Sequence, residues 1–137
     1  MEREIICAGI IIDDIWRLLL VKRKYNLKSL PNHWWIPWGH LVKWEDLEQA
    51  VIREVKEETN LDFEITKIFD ISEIKNNWST TIKVINRFYG NATGAVNIQE
   101  EECDGYGWFT YNETKNLLIF DNLRKIIYKL KEENIIQ

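Results

Sequence analysis

Apolar and polar positions along this chain recur with two different periods. Ile5 to Ile12 and Arg17 to Lys24 are rich in β-branched and leucine residues and read as strands, joined by a polar turn at Asp13-Asp14. Tyr25 to Asn32 is a polar loop, Trp34 to Pro37 a short aromatic strand, and Gly39 to Trp44 a second loop or hairpin edge. Asp46 followed by Gln49 has the form of a capping box, which predicts a helix from there to Thr59. Asn60 is the expected stop, because asparagine tolerates the left-handed conformation at a helix end. Phe63 to Ile74 and Thr80 to Tyr89 read as strands, with turns at Lys75-Asn76-Asn77 and from Gly90 to Gly94. Tyr106 to Thr110 reads as a last short strand. From Asn116 to Lys131, Leu117, Phe120, Leu123, Ile127 and Leu130 recur at helical spacing, which predicts a terminal amphipathic helix. Strands mixed with separated helices predict an α/β domain with helices packed on a sheet.

The chain has 137 residues, 45% hydrophobic and 29% charged, with no repeat and no Pro/Gly/Ser-rich linker, so residues 1–137 read as one domain. A net charge of -4 argues against a nucleic-acid duplex as partner, since such binders neutralise phosphates with basic surfaces. A phosphorylated ligand would need a local cation to overcome the protein's own field. Cys7 and Cys103 match no zinc or redox spacing and read as reduced, buried thiols. Met1-Glu2-Arg3-Glu4 does not resemble a signal peptide, and no apolar run is long enough to span a bilayer. The expectation is a cytoplasmic protein with no membrane partner. His33 and His40 belong to no partner pattern and read as loop residues.

The predicted helix after Asp46 carries the chemistry. Leu47, Ala50, Val51, Glu54, Val55 and Glu58 share one helical face, which begins apolar and ends in carboxylates where the pattern calls for core residues. Glu54 and Glu58 repel at i, i+4, a few tenths of a kcal/mol. With Glu57 they lie near the helix C-terminus, where the macrodipole disfavours each negative charge by roughly 0.3 to 1 kcal/mol. Local energetics would not select this arrangement unless the acids simply form a solvated face. A divalent cation held by oxygen ligands reverses the sign of each of these terms.

The spacing extends upstream: Gly39, five residues, Glu45, seven residues, Arg53-Glu54-Val55, one residue, Glu57-Glu58, one residue, Asn60-Leu61. This resembles the Nudix box, in which the pattern is Gly, Glu, Arg-Glu-apolar, Glu-Glu, Gly-apolar at the same gaps, and Asn60 stands for the second glycine. Trp35-Ile36-Pro37 ahead of the box, and Glu101-Glu102 followed by Trp108-Phe109 behind it, extend the resemblance over nearly the whole chain. The resemblance, which is to the MutT-like branch, implies an α/β/α sandwich with a mixed sheet. It implies a hydrolase that splits a pyrophosphate bond in a nucleoside diphosphate derivative, with Mg2+ as cofactor and Mn2+ as its substitute. Glu54, Glu57 and Glu58 would bind the metal, with the carbonyl of Gly39 completing the shell. Arg53 would orient the carboxylates by charge-assisted hydrogen bonds, and Glu45 would orient the loop. The general base is left among Glu54, Glu101 and Glu102.

Arg23, at the end of the second strand, stands where sequences of the resembled family often present a phosphate-contacting cation, and alternation puts Lys22 and Lys24 on the opposite face. Trp38 and Trp44 stand where relatives commonly have glycines. They would be strained if their backbone required positive φ, and they are candidates for narrowing the pocket or stacking on a base. No proline follows Pro37, and Asn77-Trp78-Ser79 holds no tyrosine. In the family that the chain resembles, ADP-ribose hydrolases tend to carry a proline about fifteen residues after the box and diadenosine polyphosphate hydrolases a tyrosine, so the resemblance weakens both substrates and leaves a nucleoside triphosphate as the leading small-molecule substrate. A nucleotide sugar or other diphosphate derivative, a capped RNA end, and a catalytically silent nucleotide-binding module are the alternatives. A homodimer stays open.

Overall fold

The computed structural model describes residues 2–75 and 78–137. Alternation along the first two strands decides the architecture. β1 (Glu2–Ile11) sends Ala8 and Ile10 into one core and Cys7 and Ile11 into another, while β2 (Leu18–Arg23) divides Leu18 and Leu20 from Leu19 in the same way. Strands that are apolar on both faces need cover on both. Helix α1 (Leu47–Thr59) covers one side with Ala50, Val51 and Val55, and α3 (Asp121–Glu132) covers the other with Leu123, Ile127 and Leu130. Each fully buried aliphatic side chain among these stabilises the fold by about 1.5 to 3 kcal/mol relative to exposure. The result is the expected α/β architecture, helices on either side of β-structure.

The remaining elements are β3 (Trp34–Trp35), β4 (Trp38–His40), β5 (Asp62–Ile74), β6 (Thr81–Thr93), β7 (Cys103–Phe109) and α2 (Tyr111–Thr114). A four-stranded sheet runs β4-β1-β6-β5 and a three-stranded one β3-β2-β7. The larger sheet is mixed, because β1 and β6 are parallel while β4 and β5 join it antiparallel. Pairing of Cys7 with Gly39 sets β4 beside the middle of β1, and β4 in turn meets the C-terminal half of α1, Trp38 at Glu58 and Gly39 at Glu54.

Helix α1 has the predicted ends. Asp46 accepts from the Gln49 N–H at 2.8 Å and the Gln49 side chain accepts from the Asp46 N–H at 2.9 Å, while Asn60 closes the helix at φ 67°. Two other expectations are corrected. The turn expected from Gly90 to Gly94 is replaced by the continuation of β6 to Thr93. Gly90 faces β5 beside a bulge, where an added Cβ would strike the Glu64 carbonyl, so the glycine serves close backbone approach. The terminal helix begins at Asp121 instead of Asn116. The carbonyls of Leu117 and Leu118 leave the helical ladder, accepting from the Arg124 side chain and from the Trp34 N–H respectively. Asn76 and Asn77, on which an expected turn falls, lie outside the described residues. Among the described residues no helix is long and apolar enough to cross a membrane.

Candidate functional site

The last turn of α1, the strand β4 and the loop before β7 enclose a cleft of about 420 Å3, with Trp38, Gly39, Glu54, Glu57, Glu58 and Glu102 among its walls. Glu58 is 8% exposed and lies in the wall, where its Oε2 accepts the Trp38 N–H at 3.0 Å. The loop is fastened to the helix end as well: the Asn97 N–H donates to the Thr59 carbonyl at 2.9 Å and the Gln99 N–H to the Glu58 carbonyl at 3.0 Å. These two bonds satisfy carbonyls that the helix itself leaves open. They also carry Glu102 to the cleft, whereas Glu101 accepts a hydrogen bond from the Gln99 side chain at 2.8 Å.

Arg53 organises the carboxylates. It grips Glu45 with two bonds, Nε at 3.0 Å and Nη2 at 2.6 Å, and donates from Nη1 to Glu54 at 2.8 Å and to Glu57 at 3.3 Å. Its Nη2 also holds the His40 carbonyl at 3.1 Å, and Glu45 accepts the Val42 N–H at 3.0 Å. A planar guanidinium satisfied on both edges fixes loop and helix together. The Arg53 hydrogen bond holds Glu45 below the usual carboxylate range, and the partnership with Glu45 first, then Glu54, pushes Arg53 further up. Glu54 is packed against the backbone of Gly39 so closely that any Cβ there would collide with its carboxyl group. Burial raises the Glu54 pKa despite the opposing hydrogen bond from Arg53.

A family model of the NUDIX domain matches residues 4–130. The chain belongs to this family. It is 32% identical over 116 residues, 80% of its length, to Putative nudix hydrolase 1 of Caenorhabditis elegans, of which it spans 30%. Over 69 residues, 50% of its length, it is 29% identical to Nudix hydrolase 8 of Arabidopsis thaliana, spanning 19% of that protein. The chain thus spans less than a third of either curated relative. Among solved structures, the MutT protein from Methanosarcina mazei Go1 shares the fold with a TM-score of 0.81 at 21% identity, covering 97% of this chain and 96% of that one. The MutT NUDIX hydrolase from Burkholderia pseudomallei does so with 0.79 at 21% identity, covering 94% and 98%.

Does this NUDIX-domain cleft suit the divalent cation that the box implies? Burial first, and then the neighbouring Glu54, push the Glu58 pKa up to about 9, so the carboxyl is neutral at pH 7 until positive charge arrives. Its Oε1 has no protein donor among the described residues. The available donors are carboxylate and carbonyl oxygens, the hard ligands such a cation prefers. Among the described residues no three acidic, histidine or cysteine side chains already stand at metal-holding spacing. Arg53 holds Glu54 and Glu57 in ion pairs instead. The donor chemistry fits, and the burial of Glu58 gives the fit an energetic reason.

The other expected residues fall in three places. Arg23 is 7% exposed, its guanidinium lying 3.9 Å from the Trp35 ring centroid, and donates to the Ser29 carbonyl at 2.7 Å and the Leu30 carbonyl at 3.2 Å. This ties the loop after β2 to the strand. Trp38 lies between the acidic cleft and a neighbouring apolar cleft of about 210 Å3, meeting Trp35 edge-on at 5.3 Å, and it does not adopt positive φ. Trp44 does, at φ 74°, and stands 91% exposed on the loop after β4. Cys7 and Cys103 are buried and free, with burial as the first cause raising both thiols to about 11. Sequence reasoning missed Gln99 and the apolar cleft altogether, because both arise from chain segments that no local pattern connects.

Proposed function

We propose that this protein hydrolyses the pyrophosphate bond of a nucleoside triphosphate, releasing a nucleoside monophosphate and pyrophosphate in a magnesium-dependent reaction. The observation that supports this most is the gathering of Glu54, Glu57 and Glu58 around one cleft, with a buried carboxyl among them. Glu54, Glu57, Glu58 and the Gly39 carbonyl would hold the cation. A bound cation would neutralise phosphate oxygens and acidify the attacking water. Water oxygen bonds to phosphorus as the bridging P–O bond breaks, the electron pair leaves with pyrophosphate, and a carboxylate takes the water's proton. Glu54 and Glu102 are the candidates for that proton, because both line the cleft, whereas Glu101 is engaged by Gln99. Arg53 orients Glu54 and Glu57 and keeps the loop from drifting away from the helix. The nucleoside extends past Trp38 into the apolar cleft, whose walls exclude water from the base. Trp44, 91% exposed on the loop after β4, would be free to stack on a substrate group.

The test is a panel of nucleoside triphosphates, nucleotide sugars and dinucleotides incubated with magnesium, with products identified as phosphate, pyrophosphate or monophosphate. Monophosphate and pyrophosphate from a triphosphate are expected. A folded protein that binds nucleotides and splits none of them would instead be a binding module.

A further inference from the structure

The apolar cleft beside the acidic one contains a charged group that its walls do not explain. Arg87, on β6, is 6% exposed and lines the cleft with Trp35, Trp38, Ile85 and Phe120. A guanidinium has five N–H donors. Asp70 and Ser72, behind it on β5, accept two of them from Nη1, at 3.0 and 2.9 Å. The groups on Nε and Nη2 have no partner among the described residues. Both carry some accessible surface, since among the described residues the Trp35 indole nitrogen alone is a fully buried side-chain nitrogen or oxygen without a partner. Burying an arginine while leaving part of its fork unmade costs free energy. One arm of the fork is anchored by the ion pair with Asp70 at 3.0 Å.

The chemistry of the cleft is one-sided. The side chains lining it comprise aliphatic and aromatic groups, Arg87, and the exposed Lys83, so donors are present and no lining side chain offers an acceptor. A ligand suited to this cleft is flat, apolar on its faces and rich in acceptors along one edge. Among nucleobases, guanine presents two adjacent acceptors, O6 and N7, which match an arginine fork. Adenine sets an N6 amino donor beside N7, cytosine presents an N4 amino donor, and uracil and thymine present O4 alone.

Resting on the reading that the substrate is a nucleotide, we propose that Arg87 is the specificity-determining residue of the apolar cleft and selects a guanine nucleotide through O6 and N7. Asp70 and Ser72 are positioning residues that aim its fork. Preference for guanine over adenine follows from two made bonds on one side and an opposed pair of donors on the other.

The experiment is equilibrium binding followed by calorimetry and by tryptophan fluorescence, in chelator, so that no turnover intervenes. The probes are GMP, AMP, IMP and 7-deaza-GMP. GMP and IMP, which share O6 and N7, should bind about 10- to 100-fold more tightly than AMP, the range expected of one bidentate contact. 7-Deaza-GMP, lacking N7, should fall below GMP. Arg87→Gln should turn the preference towards AMP, since glutamine pairs with the N6/N7 edge of adenine. Thermal melts check that the variant folds; if it does not, the comparison of GMP with 7-deaza-GMP on the parent protein decides. AMP binding as tightly as GMP, indifference to the loss of N7, or no binding of GMP overturns the proposal. Equal hydrolysis of all nucleotides would refute the selection while sparing the proposed reaction. Selective GMP binding with no hydrolysis would do the reverse.

Discussion

Replacing Glu58 by glutamine isolates the cost of the buried carboxyl, since the amide keeps the side chain's shape and an oxygen to accept the Trp38 N–H. In the native protein the Glu58 pKa is pushed from 4.5 up to about 9. The folded state therefore holds a proton that the unfolded chain releases near pH 4.5. Its contribution to stability is complete below that pH and is lost as pH rises towards 9. At pH 7 the gap of about 2.5 pH units above the unfolded pKa corresponds to roughly 3 kcal/mol at 1.36 kcal/mol per unit. Glutamine never ionises, so the variant escapes this loss, less whatever its amide N–H groups cost beside Glu54. In chelator the variant should be about 1 to 3 kcal/mol more stable than the parent at pH 7. The difference should be under about 1 kcal/mol at pH 5 and larger at pH 8. Denaturant melts of both proteins at these three pH values measure it. Magnesium should narrow or reverse the order, because the parent retains the full ligand set and gains linked binding energy. Turnover of the variant should fall at least about a hundredfold. A stability difference that stays constant from pH 5 to pH 8 would refute the reasoning, for it would mean that Glu58 carries no buried ionisation cost.

Trp44→Gly should raise the melting temperature by a few degrees, because the left-handed backbone at φ 74° costs a non-glycine residue about 1 to 2 kcal/mol and the exposed ring repays little of it by packing. A lower melting temperature would show that the ring is held by contacts the chain needs, and a changed nucleotide profile would place it at the substrate. Asn60→Val should destabilise by about 1 to 2 kcal/mol while Asn60→Gly stays within roughly 0.5 kcal/mol, and equal melts for the two would deny Asn60 its capping role. Gly39→Ala should displace the Glu54 carboxyl and lower turnover by about tenfold or more; unchanged kinetics would remove that contact from the mechanism. Turnover should vanish in excess chelator and return with magnesium, and persistence in chelator would exclude a metal-dependent step.

The parts of this molecule that sequence makes legible are those whose causes are local. Both ends of α1 are specified within the helix and its neighbours, by Asp46 with Gln49 and by Asn60, so its bounds and its inward acidic face follow from spacing alone. Glu45 and Arg53 are eight positions apart, and the box pattern places them on the loop and helix that their hydrogen bonds join. Where tertiary pairing overrides a local signal, the reading fails. Gly90 has a turn residue's identity but lies inside a strand, because the bulged β5 crosses too close for a Cβ. Leu117 keeps the helical period of α3 without belonging to it, since its carbonyl is claimed by Arg124.

The same distinction separates two buried arginines, Arg23 and Arg87. Arg23 stands where a phosphate contact is expected, yet the backbone of the loop at Ser29 and Leu30 folds back onto its guanidinium. Nothing in the spacing of residues 23 to 30 requires that return. Arg87 has no motif around it and reads from sequence as an ordinary strand residue. It acquires meaning because the β5–β6 register sets it opposite Asp70, and because β1, β3 and β4 build apolar walls around its free edge. The acidic face of the helix is thus written in the sequence, whereas the surroundings of Arg87 are decided by which distant strand comes to lie beside which.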